Sequence, residues 1–336
     1  MVLVTGGTGL VGSHLLLRLA MNDTKVRALY RTQDKLEHVK KIFSYYTTDI
    51  DSLFHKIEWV QGDILDIPLL ELAFVQVTQV YHCAALISFT PSDFEKLERV
   101  NREGTANMVN LAIAKKIQKM CFVSTIGTIG RSLNGEAVDE ETEWTIHHAN
   151  PYAITKHLGE MEVWRGFHEN LNMVIVNPGV ILGPGFWESG SGTFFKTAAK
   201  GYTFHPPGGS GFISVSDVTK IMVHLMDSDI SGERFIAVTE NLSYKEVLAA
   251  IATAMGKNRP KYELKSWQLQ VGRCLDWIRH IFYGTSRTIT KNTIYGLLHP
   301  TTFDAAKLKK SIPFQLESIR DTIEKTTAYF IEEQTG

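Results

Sequence analysis

The sequence predicts an α/β fold, a doubly wound parallel sheet covered by helices and followed by a smaller C-terminal lobe. Three observations lead there. The first half alternates short β-branched runs with amphipathic stretches. A glycine-rich turn joins the first such run to the first helix, and after Asn177 the alternation stops, because glycines and prolines break the chain into loops. At 336 residues the chain can bury a sizeable core and divide into one large and one smaller unit.

Strands are predicted at 2–4, 25–30, 57–60, 79–83, 119–124 and 173–176, with helical stretches such as 10–20 and 93–115 between them. Right-handed crossovers between parallel strands place a ligand crevice at the strands' C-terminal ends. The glycine turn, Asp63, Thr125 and Asn177 all fall near those ends. Further on, a strand is predicted at 234–239. Ser243 and Glu246, at capping-box spacing, precede an apolar helix at 247–255. Residues 1–178, with 212–240 returning to them, are expected to form the sheet domain, and 179–211 and 241–336 mainly the lobe. No internal repeat or low-complexity segment is present.

Composition narrows the function. Lysine plus arginine (35) nearly balances aspartate plus glutamate (36), with no long basic block, so nucleic acid is not an expected partner. Cys83, Cys121 and Cys274 are far apart and odd in number, which argues against a disulfide framework or a CxxC metal site. Cys83 and Cys121 fall on predicted buried strands and are expected to be inert apolar fillers. No histidine has a ligand partner at helical spacing, so no metal is expected. No basic leader precedes Val2-Leu3-Val4 and no apolar run reaches spanning length, so a cytoplasmic protein without a transmembrane segment is expected.

Thr5-Gly6-Gly7-Thr8-Gly9-Leu10-Val11-Gly12 lies between a strand and a helix, the context in which such a motif cradles a pyrophosphate. Gly6, Gly9 and Gly12 allow a tight turn, close backbone approach and close helix packing, with the anion at the helix N-terminus. This is the signature of a Rossmann dinucleotide site, with Thr8, Leu10 and Val11 carried in the same turn. The second strand ends without the acid that grips an NAD ribose. Arg27, Arg31 and Lys35 are available instead for a 2′-phosphate, so NADP is expected over NAD, with Asp34 the nearest residue that could reverse this. Gly62-Asp63-Ile64 follows the third strand, where Asp63 could accept from the adenine amino group or simply mark a turn.

Tyr152 and Lys156 are four residues apart, on one face if the segment is helical, and Asn150-Pro151 supplies a cap and a first-turn proline. A tyrosine titrates near pH ~10. The ammonium, the helix dipole and a cationic nicotinamide are expected to lower that value. Thr125 is the expected third member, a hydroxyl that positions a substrate oxygen. Ser124 is read as a loop cap.

Together TGGTGLVG, GDI, HCAA (82–85), NREGTAN (101–107), VST, YAITK and NPG (177–179) resemble the extended short-chain dehydrogenase/reductases, the NAD-dependent epimerase/dehydratase family, along nearly the whole chain. The resemblance implies a Rossmann domain and a small C-terminal substrate-binding lobe, with Thr125, Tyr152 and Lys156 as the active triad. It further implies Lys156 on the nicotinamide ribose, Ala84 and Ala85 beside the cofactor, and Pro178 and Gly179 against the nicotinamide. Asn101 matches the helix asparagine that supports the site, and a homodimer through the helices carrying Asn101 and Tyr152 is implied.

Departures within the family point to a branch. Dehydratases follow the active hydroxyl with an Asp-Glu pair, but here Ile126-Gly127 follow Thr125. Sugar-nucleotide enzymes use a lobe arginine for a second pyrophosphate, yet none occurs between Arg165 and Arg234, leaving Lys196 and Lys200 as the possible phosphate partners. Phe186, Trp187, Phe194, Phe195, Tyr202 and Phe204 in that region suggest an apolar or aromatic carbonyl substrate. The pattern is closest to the dihydroflavonol-reductase and hydroxysteroid-dehydrogenase branch. The expected activity is NAD(P)-dependent reduction of a ketone or aldehyde. The alternatives are a nucleotide-sugar epimerase with retained NAD and a non-catalytic dinucleotide sensor. The apolar stripe at 267–283 is compatible with core or subunit interface, or with a lid or membrane-surface helix.

Overall fold

The computed structural model describes residues 1–131, 135–283 and 290–335. Its first half runs β1 (Val2–Thr5), α1 (Leu10–Met21), β2 (Val26–Tyr30), α2 (Asp34–Ser44), α3 (Ile50–His55), β3 (Ile57–Gln61), α4 (Ile67–Ala73) and β4 (Gln79–His82). It continues with α5 (Phe94–Glu98), α6 (Gly104–Ala114), β5 (Lys119–Val123), α7 (Pro151–His168) and β6 (Met173–Pro178). The predicted helix at 93–115 is interrupted by a π-helical turn, Arg99–Glu103, that contains Asn101.

The second half runs β7 (Val180–Leu182), α8 (Gly192–Ala199), β8 (Phe204–His205), β9 (Gly209–Ser214), α9 (Val215–Asp227), β10 (Glu233–Ala237) and β11 (Glu240–Ser243). Then come α10 (Tyr244–Ala254), β12 (Tyr262–Glu263), α11 (Ser266–Tyr283), α12 (Lys291–Leu298), α13 (Ala306–Ser311) and α14 (Ile319–Thr335). The stretch read from sequence as loops thus holds short strands and α9. Helix α9 starts where Ser214 Oγ accepts from Asp217 N at 2.9 Å.

Seven strands form one parallel sheet in the order β3, β2, β1, β4, β5, β6, β10. Side chains alternate between its faces. Val2 and Val4 join one core with α1 and α9, whereas Leu3 joins the other with α4, α6 and α7. Burial on both faces explains the near-continuous apolar runs of these strands. The order reverses between β1 and β4, which opens a crevice at their C-terminal ends.

The second layer contains the sheet β7, β9, β11 and a core around Trp187, Phe195, Phe212, Ile251 and Phe330. Of the alternatives for the stripe at 267–283, a place in the core of the chain is ruled out. Trp267 (63% exposed), Val271, Leu275, Ile278 and Phe282 (76%) face solvent, while Leu269 and Asp276 on the opposite side are buried. Among the described residues no helix is long and apolar enough to cross a membrane.

Candidate active site

The turn after β1 is built around contacts that only glycine permits. Gly6 has φ +69°, and a Cβ there would lie 2.6 Å from Ala84 N. A Cβ on Gly12 would lie 2.1 Å from the Gly6 carbonyl oxygen, so the first turn of α1 packs directly on the loop. Gly9 N donates to Gly6 O at 3.0 Å, and Gly9 caps α1, whose first turn carries no acid. An anion laid along this turn would meet backbone N–H groups and the positive helix end.

Two connected cavities flank the turn. One, of about 210 Å³, is lined by Gly6, Thr8, Gly9, Arg31, Lys35, Asp63, Ile64, Ala84 and Ala85. The other, of about 340 Å³, is lined by Gly6, Gly9, Leu10, Val11, Gly12 and Ala85 on one side. Thr125, Tyr152, Pro178 and Gly179 line its other side. Gly6, Gly9, Cys83 and Ala85 border both, so the cleft runs without a break from Arg31 to Tyr152. A dinucleotide fits this donor set, with the glycine cradle at the centre and a chemically different chamber at each end.

Arg31 is half-exposed and stands 4.0 Å from Asp63, whose Oδ1 also accepts from Leu65 N. Arg27 corrects the sequence reading. It is buried on β2 and does not line the cavity, being forked onto both Glu58 carboxylate oxygens and donating to the Ala73 and Val75 carbonyls, so four of its five N–H donors are committed elsewhere. Asp34 opens α2 and is exposed.

Asn150 caps α7 by accepting from Ala153 N at 2.8 Å, with Pro151 in the first turn and Tyr152 directly after it. The Tyr152 ring meets Phe89 edge to face with centroids 6.1 Å apart. Lys156 does not line the cleft. It lies one turn deeper, 1% exposed, donating to Val123 O at 2.8 Å and resting over the Phe122 ring. Burial pulls its ammonium down to about 7, opposed by Glu160 and Cys83. Burial also raises Tyr152 above the usual phenol value, the reverse of the expected lowering. The reason is geometric: the ammonium is directed at the Val123 carbonyl and the phenol is enclosed, so desolvation outweighs charge.

Thr125 Oγ1 accepts from Gly127 N at 3.2 Å, capping the short turn Ile126–Thr128 while bordering the cleft. Ser124 faces inward and donates to Glu160 at 2.6 Å, as a loop-holding residue does. Cys83 lies just past β4 beside the cleft, and burial holds its thiol up at about 12. Cys121 is buried within β5.

Two buried polar networks fix these groups; of their members the sequence singles out Asn101 and Ser124, but not His82, Thr105, Glu160 or Arg234. In the first, burial and then the Lys156 charge hold His82 down at about 3, so its ring is neutral. Thr5 Oγ1 can then donate to Nδ1 (2.6 Å) while Nε2 donates to Thr105 Oγ1 (3.0 Å), which donates to Asn101 O (2.7 Å). Asn101 accepts from Leu86 N and donates to Leu86 O and Thr155 Oγ1, joining the glycine turn to the loop after β4 and to α7. A Cβ on Gly159 would lie 2.2 Å from Asn101 O, so α7 packs directly against the π-helical turn.

In the second, the wholly buried Glu160 accepts from Ser124, Thr128 and Asn177 and pairs with Arg234 at 3.3 Å. Asn177 Nδ2 also donates to Thr125 O at 3.2 Å. The available signal was the spacing of Tyr152, Lys156 and Glu160, successive i+4 positions on one helix face.

The aromatic residues expected around the substrate are elsewhere. Trp187 and Phe195 are buried in the lobe core, and Phe194 packs on Tyr244. Phe186 lines the Arg31 cavity, and Tyr202 and Phe204 are exposed. The walls near Tyr152 are instead Ile87, Phe89, Ile126, Val180 and Ile181. Lys196 pairs with Glu188, and Lys200 closes α8 at its C-cap. Among the described residues no cluster of three His, Cys, Asp or Glu could hold a metal ion.

A reversing parallel sheet, a glycine cradle at its switch point and a tyrosine–lysine helix beside it define a nicotinamide-dinucleotide enzyme of the Rossmann class. The chain belongs to the NAD-dependent epimerase/dehydratase family, whose model matches residues 2–237. It is 29% identical to sterol demethylase protein B of Methylococcus capsulatus, over 77% of this chain and 76% of that protein. A putative dihydroflavonol 4-reductase of Synechocystis sp. is 26% identical, over 97% and 93% respectively. The crystal structure of gox2253 matches with a TM-score of 0.81 at 23% identity, covering 99% of this chain and 98% of its own, a likeness of fold.

Proposed function

We propose that the protein reversibly reduces an apolar ketone or aldehyde, with NADP preferred over NAD. The glycine cradle would hold the pyrophosphate and Arg31 and Lys35 the 2′-phosphate. Asp63 and Ile64 would meet the adenine, and Ala84, Ala85, Pro178 and Gly179 the nicotinamide half. When bound, the nicotinamide supplies or accepts the hydride.

Tyr152 is assigned the proton. Its raised value keeps the hydroxyl protonated at neutral pH, ready to donate to a developing alkoxide in the reductive direction. Lys156, held on Val123 O one turn beneath Tyr152, adds a charge that favours the phenolate as the proton leaves. The Thr125 oxygen accepts from Gly127 N, so its own proton remains available to a substrate oxygen. Asn101 and Glu160 act through these groups by holding the loops that carry them.

The observation that carries this reading is the chamber beside Tyr152: its walls are mostly apolar, with Ile87, Phe89, Ile126, Val180 and Ile181 beside the hydroxyls of Ser124, Thr125 and Ser191, and no charged side chain is among its lining residues. Arg234, the first arginine after Arg165, is engaged by Glu160 and the Glu140 carbonyl, which leaves a second pyrophosphate without its usual partner. The names of two relatives, a putative dihydroflavonol 4-reductase and a sterol demethylase protein, accord with an apolar substrate. The family's description favours a second reading, an epimerase that returns the hydride to the same substrate.

The test is NADPH oxidation against a panel of apolar and aromatic ketones and aldehydes, with Tyr152→Phe as the control. Turnover is expected in the wild type and at least about a hundredfold less in the variant, with cofactor affinity retained. NAD that copurifies, with sugar-nucleotide turnover and no net absorbance change, would establish the epimerase instead.

A further inference from the structure

Helix α11 presents its apolar side outward. At 100° per residue, Trp267, Val271, Leu275, Ile278 and Phe282 form one continuous stripe, and every one of them is exposed. The side packed on the protein carries the buried Leu269 and Asp276. A solvent-facing surface helix normally has the opposite polarity, because its apolar stripe is what attaches it to the core. Just before α11, Tyr262 of β12 and Phe204 of β8 are also exposed, with ring centroids 5.7 Å apart.

The flanking charge identifies what covers this face. Between residues 257 and 283 the chain carries Lys257, Arg259, Lys261, Lys265, Arg273 and Arg279 against only Glu263 and Asp276, in a protein whose net charge is −1. The four cations from Lys257 to Lys265 are exposed. Tryptophan and phenylalanine on one face with cations beside them are the features of a helix that lies in the plane of a bilayer interface, apolar side down, with the cations at anionic headgroups. A second copy of the chain fits less well, since a two-fold contact through α11 would set one cationic flank against the other.

We infer that residues 257–283 form a docking surface for an anionic lipid bilayer, on which the protein rests without crossing it. The inference is independent of the reaction proposed above. Sedimentation of the full chain is the test, with vesicles of phosphatidylcholine alone and of an equal mixture of phosphatidylcholine and phosphatidylglycerol. The wild type is expected to pellet with the mixed vesicles, less so at high salt, and weakly with phosphatidylcholine. Leu275→Glu and Phe282→Glu are each expected to reduce the bound fraction at least about tenfold. Because both side chains point to solvent, unfolding is not expected, and unchanged circular dichroism and dinucleotide affinity verify this.

Equal binding of wild type and variants, or no binding to either vesicle, would overturn the inference. So would a wild-type dimer that Phe282→Glu converts to a monomer, which would assign the stripe to a second copy.

Discussion

The Lys156 ammonium donates to the backbone carbonyl of Val123 across 2.8 Å, tying the second turn of the tyrosine helix to the last residue of β5. Ser124 and Thr125 follow immediately, so a single contact sets the cation and the candidate hydroxyl in one frame. The contact lies in a nearly water-free site, which is why burial rather than an acidic partner dominates the titration of this lysine.

Stability should therefore depend on pH through Lys156. Folding lowers its value from about 10.4 to about 7. Between those limits the unfolded chain binds a proton that the folded chain does not, so this group's contribution to stability rises with pH. The penalty is full below about pH 7 and has nearly gone by about pH 10. Relative to a Lys156→Met variant, the wild type should gain on the order of 2 kcal/mol between pH ~7 and pH ~9 in urea unfolding. Parallel profiles for the two proteins would show that the ammonium is not desolvated.

Glu160→Gln removes the charge on which Ser124, Thr128, Asn177 and Arg234 converge, leaving a guanidinium with no carboxylate in a site of low exposure. A loss of about 3 kcal/mol is expected in urea unfolding. Replacing both partners, Glu160→Gln with Arg234→Met, should recover part of it. A double variant no more stable than the sum of the single losses would mean that the pair is uncoupled.

Arg31→Glu addresses cofactor choice. Arg31 is at the cleft's far end with its guanidinium beside Asp63, and Lys35 lines the same cavity. Calorimetric titration should show NADPH weakened at least about tenfold and NADH changed by only a few-fold. Equal losses for both cofactors would remove the 2′-phosphate role from Arg31.

Much of the fold could be read in advance because its signals are local. Short β-branched runs marked the six sheet strands before Asn177 and the seventh at 234–239, and Asn150-Pro151 marked the start of α7. The short strands and α9 that follow were obscured by Gly190, Gly192 and the Pro206–Gly209 cluster, which interrupt any periodic window. Arg27 looked like a phosphate ligand because strand position alone does not tell which partner reaches a side chain. The carbonyls of Ala73 and Val75 that hold it are nearly fifty residues away in the chain.

By itself the sequence determined the sheet class, the glycine cradle and the spacing of Tyr152 and Lys156 on one helix, since each depends on neighbours within a few residues. Only the tertiary structure decided which groups are desolvated: the raised phenol, the lowered ammonium, the neutral His82 and the buried Glu160. It alone placed Trp187, Phe194 and Phe195 in or against the lobe core, left Tyr202 and Phe204 exposed, and turned the stripe of α11 toward solvent. Burial and long-range contact arise when distant segments pack, and no pattern confined to one segment encodes what will pack against it.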